Sequence, residues 1–246
     1  MVVLDFSNRV SNFIDAADVS GNIKNSPDNL LYLNHIDSAC KEAGMTSGAV
    51  YPFVGANATS HSFNFLNPAQ FRIDWLGEVT HNNLGVQGDG STGYGDTNLK
   101  PNAIGNNVFL GTYINTNNAS ASWDIGTLGF GLVTRWSDNS IIVNNSNIGN
   151  TVISSTLNNI GFTAFNANNS IIDLYKNTAL IATINRTFTN QSSLNIALLG
   201  LNDGGLINRW SNNRQSLTLI VNSINKDRIA TFSHNIYTAQ RILGRA

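Results

Sequence analysis

Residues 49–98 read AVYPFVGANATSHSFNFLNPAQFRIDWLGEVTHNNLGVQGDGSTGYGDTN, a series of short apolar-alternating runs separated by Gly, Asn and Asp. Alternation with a period of two places every second side chain on one face of a strand, and Gly, Asn and Asp tolerate the backbone of tight turns. The stretch therefore reads as successive strands of an antiparallel β-sandwich. It carries no catalytic constellation.

The same pattern extends to the C-terminal side. Strands are expected over 49–54, 61–66, 71–76, 84–88, 107–115, 121–125, 130–136, 140–144, 151–155, 160–166, 170–176, 179–185, 194–200 and 215–224. No long helical pattern interrupts them, so hairpins and Greek-key crossovers must join antiparallel strands. Asp138-Asn139 and Lys176-Asn177-Thr178 mark two hairpin turns. Residues 1–47 read differently. Leu30, Leu33, Ile36, Ala39 and Cys40 recur at helical spacing, which predicts a helix over 29–43 with Asp28 as its cap and Gly44 as its stop. Residues 6–17 fit either a short helix or an extended arm. A second short helix is expected near the C-terminus, capped by Ser233 and stopped by Gly244. The expected fold is all-β: a two-sheet antiparallel jelly-roll sandwich over 48–246, preceded by a helical or extended lead segment over 1–47 and closed by a short helix.

Composition narrows the function classes. Charged residues make up 12% of the 246, against a norm of about 25%, and the net charge is −1. Such a chain has no long-range field to draw in nucleic acid or an anionic membrane. Asn outnumbers the 14 basic and 15 acidic residues together, giving a neutral amide surface. With 41% hydrophobic residues in β-branched and aromatic clusters, a packed core is expected rather than disorder. No run approaches a membrane span and the first residues lack the order of a signal peptide, so neither membrane insertion nor classical secretion is expected. The single Cys40 reads as a small buried residue of the lead helix.

The candidate chemistry is sparse. His35, His61, His81 and His234 never fall at metal-ligand spacing, so no metal site and no cofactor are expected. His81 reads as a surface loop residue and His61 as half-exposed at a strand start. Glycoside hydrolysis needs two carboxylates across a groove. The pairs to consider are Asp74 with Glu78 and Asp124 with Asp173, each more simply read as turn formers or solvent-facing strand residues. Gly85–Gly93 lacks the Lys-Ser/Thr ending of a phosphate loop, and no Gly-x-Ser-x-Gly occurs. No catalytic residue is therefore expected. Of the tryptophans, Trp75 falls at period two with Phe71 and Ile73, which places it in the core. Trp136 is ambiguous in its side. Trp210 lies in the polar stretch NRWSNNR, where no strand pattern explains it. Trp210, Arg209, Arg214 and Trp136 are the candidate contact residues, since aromatic faces stack on sugars and Arg engages carboxylates. The same loop residues equally suit the closure of one end of the sandwich.

Four pieces in order carry a resemblance: AVYPFVG with HSFNFLNP, GDGSTGYGDT at 88–97, LYKN at 174–177 before an apolar strand, and YTAQRILGR at 237–245. Together they resemble the concanavalin A-like or laminin-G-like jelly rolls of bacteriophage virion proteins. What the resemblance implies is a non-enzymatic head fibre, tail fibre or decoration module, located in the virion after assembly in host cytoplasm. Its expected partners are other virion proteins and a host surface glycan, and it is expected to associate as a homo-oligomer, with a trimer favoured. The calcium-binding laminin-G relatives use convergent acids, which this chain lacks. The alternative functions are a soluble carbohydrate-binding lectin module and a glycan hydrolase on the same fold.

Overall fold

Polar side chains start the helices. Ser7 accepts a hydrogen bond from the Val10 amide at the head of α1 (Asn8–Ala17), and Ser26 accepts one from the Asn29 amide at the head of α2 (Pro27–Glu42). Pro27 fills the first helical position of α2, where its missing N–H is not needed. The computed structural model describes residues 6–145, 150–154, 158–168, 170–186 and 192–246. After α2 come β1 (Gly48–Tyr51), the single turn α3 (Ala58–His61), β2 (Asp74–Leu76), β3 (Val79–Asn82), β4 (Gly85–Gly88), β5 (Tyr94–Asp96) and β6 (Val108–Ile114). Next are β7 (Ile125–Thr127), β8 (Phe130–Val133), β9 (Ser140–Asn145), β10 (Asn150–Ser154), β11 (Gly161–Asn168), β12 (Ile171–Lys176) and β13 (Ala179–Asn185). The chain then forms β14 (Ala197–Leu198), β15 (Leu201–Asp203), β16 (Leu206–Asn208), β17 (Arg214–Asn222) and, after a 3-10 turn at Lys226–Arg228, α4 (Ile229–Ile242).

These strands make two sheets stacked as a jelly-roll-like sandwich. Among the described residues one sheet runs β13-β12-β11-β6-β17-β4-β3, with β1 also paired to β17. The other runs β10-β9-β8-β7-β14-β5-β2, with the β15–β16 hairpin at its flank. Pairing is antiparallel throughout except for the bridge between Asn202 and Thr127.

The first sheet is buried on both faces at its centre, and every residue of β6 is buried. Val108 and Leu110 of β6, Phe165 and Ala167 of β11, and Ile172 and Leu174 of β12 meet the second sheet's Ile125, Phe130, Leu132 and Val143. On the opposite face Phe109, Tyr113, Phe162, Ala164, Leu217, Leu219 and Val221 pack against Val10 and Phe13 of α1, Tyr32, Leu33 and Ile36 of α2, and Phe232 and Ile236 of α4. Three layers result: helices, sheet, sheet. Cys40 is buried in this helical layer, where desolvation pushes its thiol up to about 12.

Two polar side chains seal the structure where backbone groups lack ladder partners. Asn64, fully buried, accepts from the Val50 amide and donates to the Gly48 carbonyl, so it takes the place of a neighbouring strand along β1. Arg245 is buried after α4 and donates to the carbonyls of Asn83 (2.7 Å), Phe53 (2.7 Å), Ser216 (3.1 Å) and Pro52 (3.3 Å). Its guanidinium lies 5.5 Å from the Tyr32 ring centre, and Tyr32 is hydrogen-bonded in turn to Pro52 and Gln240. One cation thus fastens α2, α4, the β1 exit and β17.

The long strands and α2 fall where the sequence places them; five expectations do not. Residues 61–66 form no strand, because Asn57 caps the Ser60 amide and turns the chain into α3. Residues 121–124 precede β7 rather than forming a strand, and 194–200 contribute only two strand residues. Ser26, not Asp28, caps α2. The last helix begins at Ile229, so Ser233 lies within it, buried against the sheet. Ser155 lies outside the described residues.

Arg245→Met leaves four carbonyls facing a dry pocket. A loss of at least about 3 kcal/mol in unfolding free energy is expected, read as a lower urea midpoint at unchanged slope.

Candidate functional site

The residues singled out from the sequence are only partly brought together. Trp136 is half-buried on the outer face of the second sheet, packed on Trp123, Val133, Ile142 and Leu201. Arg209 reaches over it, with its guanidinium carbon 5.6 Å from the ring centre. Trp123 lies flat beneath them because Gly126 and Gly131 have no side chain; a Cβ on either would fall within 3.0 Å of its ring. Arg214, by contrast, sits at the start of β17 in the other sheet and donates to Gln87 (2.7 Å). Trp210 is half-buried with its Nε1 inaccessible. The loop holding these residues is clamped from inside by Asp124, which is fully buried and accepts from Ser211 (3.0 Å), Asn213 (2.8 Å) and both the amide and hydroxyl of Thr134 (2.7 Å each).

The carboxylate pairs do not form grooves. Asp124 is sealed between the sheets, whereas Asp173 lies on the outer face of β12, where it accepts from Thr183 (2.7 Å). Asp74 is held by Asn98 (2.8 Å). In the glycine-rich turn, the carboxylate of Asp89 accepts from the amides of Ser91, Thr92 and Gly93 (3.0, 2.8 and 2.8 Å). Those N–H groups are the ones a phosphate would need.

His61 and His81 were read as separate and accessible, but the structure joins them. His61 is buried, and the two Nδ1 atoms are 3.1 Å apart, so one imidazole donates to the other. Phe53 and Trp75 pack against the pair. Trp75 itself is half-buried rather than in the core. Desolvation holds His61 well below the usual histidine range, with His81 adding to the effect, and desolvation brings His81 down to about 4. Among the described residues no group of three or more His, Cys, Asp or Glu side chains could hold a metal ion.

A surface cleft lies elsewhere. The helices cover the outer face of the first sheet as far as Tyr175 of β12, and leave Ile171 of β12 and Leu180 of β13 exposed. The registers align Asn168 with Ile171, Asn166 with Asp173 and Thr183, and Tyr175 with Leu180 as rows across this face. Ile224, Asn225, Lys226 and Asp227, just before α4, form the facing wall, and the enclosed volume is about 770 Å³. Ile171 and Leu180 are 43% and 53% exposed, large values for aliphatic residues on a sheet. Asn166 bonds both ways to the Ile224 backbone (3.0 and 3.2 Å), which fixes the wall against the floor. Desolvation, then Asp173 and Asp227, pushes the Tyr175 hydroxyl up to about 12, so it remains a neutral donor. The floor thus offers an aromatic ring, two aliphatic side chains, and neutral and acidic oxygen and nitrogen groups.

The sequence reading missed this cleft. Its signal is the alternation in IIDLYK, where Ile172, Leu174 and Lys176 point inward and leave Ile171, Asp173 and Tyr175 as an outer row. The inward Lys176 is buried, donating to Asn159 (2.9 Å) and Thr163 (3.0 Å), and desolvation brings it down to about 7 against the opposing pull of Asp124.

No protein-family model matches the chain, and no curated protein matches it. Among solved structures it resembles a mutant of Trypanosoma rangeli sialidase displaying trans-sialidase activity, with a TM-score of 0.51 and 11% identity. That match covers 89% of this chain and 40% of the sialidase. It also aligns with domain 4 of AbnA, an extracellular arabinanase from Geobacillus stearothermophilus, with a TM-score of 0.46, 13% identity, and coverage of 77% of this chain and 98% of that one. The CBM40 of a Ruminococcus gnavus sialidase gives 0.45 and 14%, covering 67% and 99%. These likenesses are of fold.

The expectation of a bacteriophage fibre or decoration protein, and with it the virion location, is corrected: the likeness with a TM-score above 0.5 is to part of a sialidase, not to a virion component. The pieces that carried the virion resemblance report local geometry. The stretch from Gly88 to Thr97 is the turn organised by Asp89, the Lys176-Asn177 step is a hairpin with Asn177 at φ 53°, and the Leu-Gly-Arg ending delivers Arg245 to its carbonyls.

The buried titratable groups set a pH profile. Free imidazoles take up protons near pH 6.5 but the folded pair resists, so between about pH 6.5 and 4 the unfolded chain binds more protons and stability falls with falling pH. Lys176 acts in the alkaline range: from about pH 7 to 10 the unfolded chain again binds more protons, and stability rises with pH by up to about 1.4 kcal/mol per unit. Above about pH 10 the buried tyrosines, whose ionisation the fold opposes, reverse the trend. Urea midpoints across this range test both limbs; Lys176→Met flattens the alkaline rise and leaves the acid fall in place.

Proposed function

We propose that this chain is a carbohydrate-binding module that retains a glycan in the cleft over β11, β12 and β13 without transforming it. The observation that carries this reading is the composition of the cleft floor. Sugars present apolar C–H faces and a perimeter of hydroxyls, so their sites combine an exposed ring or aliphatic platform with neutral donors and acceptors in fixed positions. Ile171 and Leu180 supply the platform, with buried Tyr175 behind it; Asn168, Thr183 and Asn225 supply the perimeter, which Asn166 backs by holding Ile224; Asp173 and Asp227 accept from hydroxyls.

A lectin-like role accounts for the exposed aliphatics, which a solvated strand edge has no need to keep. It also fits a chain whose low charge gives ligands no electrostatic steering. Asp173 is occupied by Thr183, as befits an acceptor held in position.

Isothermal titration of the protein with plant and bacterial neutral oligosaccharides tests the reading. Binding in the micromolar to millimolar range is expected, with Asp173→Ala and Leu180→Ser each weakening it by about 5-fold or more, the worth of one good contact, while the melting temperature stays nearly unchanged. Chromatography of the same mixtures should return the sugars intact. Shortened products abolished by Asp173→Asn or Asp227→Asn would establish a hydrolase instead, and retention unaffected by cleft substitutions would place the site elsewhere.

A further inference from the structure

The cleft does not end at Tyr175. Two residues further along, Asn177 and Thr178 form the β12–β13 turn and begin a second depression of about 330 Å³, lined also by Tyr113, Ile160, Gly161, Ser233, His234, Tyr237 and the terminal Ala246. Both depressions are lined on one side by the β12–β13 hairpin and on the other by the stretch from Ile224 to Tyr237. Asp227 at the head of α4 faces the first, and Ser233, His234 and Tyr237 face the second. Residues 171 to 177 span about 20 Å along a strand and residues 227 to 237 about 15 Å along a helix. The two depressions share no lining residue, yet they follow one another along the same two stretches of chain, and together are called the trough.

The second depression has the marks of a ligand site in its own right. Tyr237 is 45% exposed and Ile160 41% exposed, so a ring and an aliphatic side chain stand open together. Ser233 is 1% exposed, and its hydroxyl makes no hydrogen bond among the described residues. A buried hydroxyl without a partner is normally avoided, because its desolvation is uncompensated. Ser233 lines an open depression, which puts this unpartnered hydroxyl beside the space a ligand would fill. Desolvation, and Tyr237 after it, pushes the Tyr113 hydroxyl up to about 12, leaving a neutral phenol in the floor.

Charge narrows the class of ligand. Besides the phenols of Tyr113, Tyr175 and Tyr237, the ionisable side chains lining the trough are Asp173, Asp227, Lys226 and His234. The two carboxylates flank the first depression with one lysine, and among the described residues no arginine lines either depression. A sugar acid has no fork to receive it, whereas an uncharged hydroxyl-rich chain meets acceptors at one end and a phenol, a hydroxyl and an imidazole at the other.

We infer that the trough binds an uncharged linear oligosaccharide that occupies both depressions at once, with Ser233 and Tyr237 forming a distal subsite. This inference rests on the glycan-binding reading above. It adds that affinity grows with chain length, and that the growth comes from the distal residues.

The test is calorimetric titration of the intact chain with xylose, cellulose and arabinan fragments from the monosaccharide to the pentasaccharide, beside sialyllactose as the acidic probe. Affinity for at least one neutral series should rise 10-fold or more between the disaccharide and the tetrasaccharide, and sialyllactose should bind more weakly than the tetrasaccharide. Ser233→Ala and Tyr237→Ala should each remove about 3- to 10-fold of affinity for the tetrasaccharide, the range of one hydrogen bond or one stacking contact, and leave the disaccharide unchanged. Ser233→Ala should leave the melting temperature the same or higher, because it removes an uncompensated hydroxyl. Length-independent affinity, or loss of affinity for both lengths on either substitution, overturns the distal subsite while leaving the cleft reading standing. Preference for sialyllactose overturns the ligand class. Absence of binding by every sugar overturns the cleft reading, and this inference with it.

Discussion

A sheet whose central strands have no solvent-facing side imposes the rest of this structure. β6, β11 and β17 present apolar side chains in both directions, so one face needs the second sheet and the other needs helices. α1, α2 and α4 meet that need with a limited width. They cover the sheet as far as Tyr175 and leave Ile171 of β12 and Leu180 of β13 exposed. The open strip beside α4 follows from this mismatch between the area of the sheet and the reach of the helices. The cleft is therefore set by the packing that stabilises the fold, and its floor is held in register by the hydrogen-bond ladder of β11, β12 and β13.

A chain with so few charges treats each buried one as a fastener. Arg245 has four carbonyl acceptors and, among the described residues, no carboxylate, so its charge is served by backbone dipoles gathered from three places in the sequence. Lys176 and Asp124 do not touch. Between them run Asn159 and Asn213, joined to each other at 2.9 Å, with Asn159 accepting from the lysine through its carbonyl and Asn213 donating to the carboxylate. Amides suit this work because each carries a donor and an acceptor and can pass polarity along a dry path. The abundance of Asn thus has a structural use beyond solubility, which Asn64 at the β1 edge and Asn166 beneath Ile224 share.

Sequence pattern revealed what depends on local order. The helix over α2, the hairpins at Asn139 and Asn177, and the long strands from β6 to β13 and at β17 carry several turns of consistent periodicity. Short elements did not show, since three residues of alternation arise by chance; His61, Phe63 and Phe65 alternate like a strand, yet the cap supplied by Asn57 wins. The meeting of His61 with His81 was beyond reach because the chain between them runs through loops and the short strand β2 before entering β3, a course that local pattern does not set. The cleft was half-legible. The outer row Ile171, Asp173 and Tyr175 is present in the alternation, but whether such a row faces bulk water or a wall depends on where α4 lies. That position is fixed by Phe232 and Ile236 against Phe109 and Phe162 on distant strands. The tryptophan-and-arginine loop drew attention for want of a strand pattern, and the reason for that want is internal: Ser211 and Asn213 turn inward to Asp124.

Recognition at such a site is governed by spacing more than by charge. With a net charge of −1 and a trough edged by two aspartates and one lysine, encounter is unsteered and weakly dependent on salt. Discrimination among ligands must then come from whether their hydroxyls fall where acceptors and donors already stand. A strand ladder is well suited to hold those positions, because moving one floor residue requires breaking ladder bonds on both sides. The facing wall is tied to that ladder by the paired bonds between Asn166 and Ile224, so floor and wall share one frame. A ligand entering it meets a surface already in place, and loses chiefly its own freedom on binding.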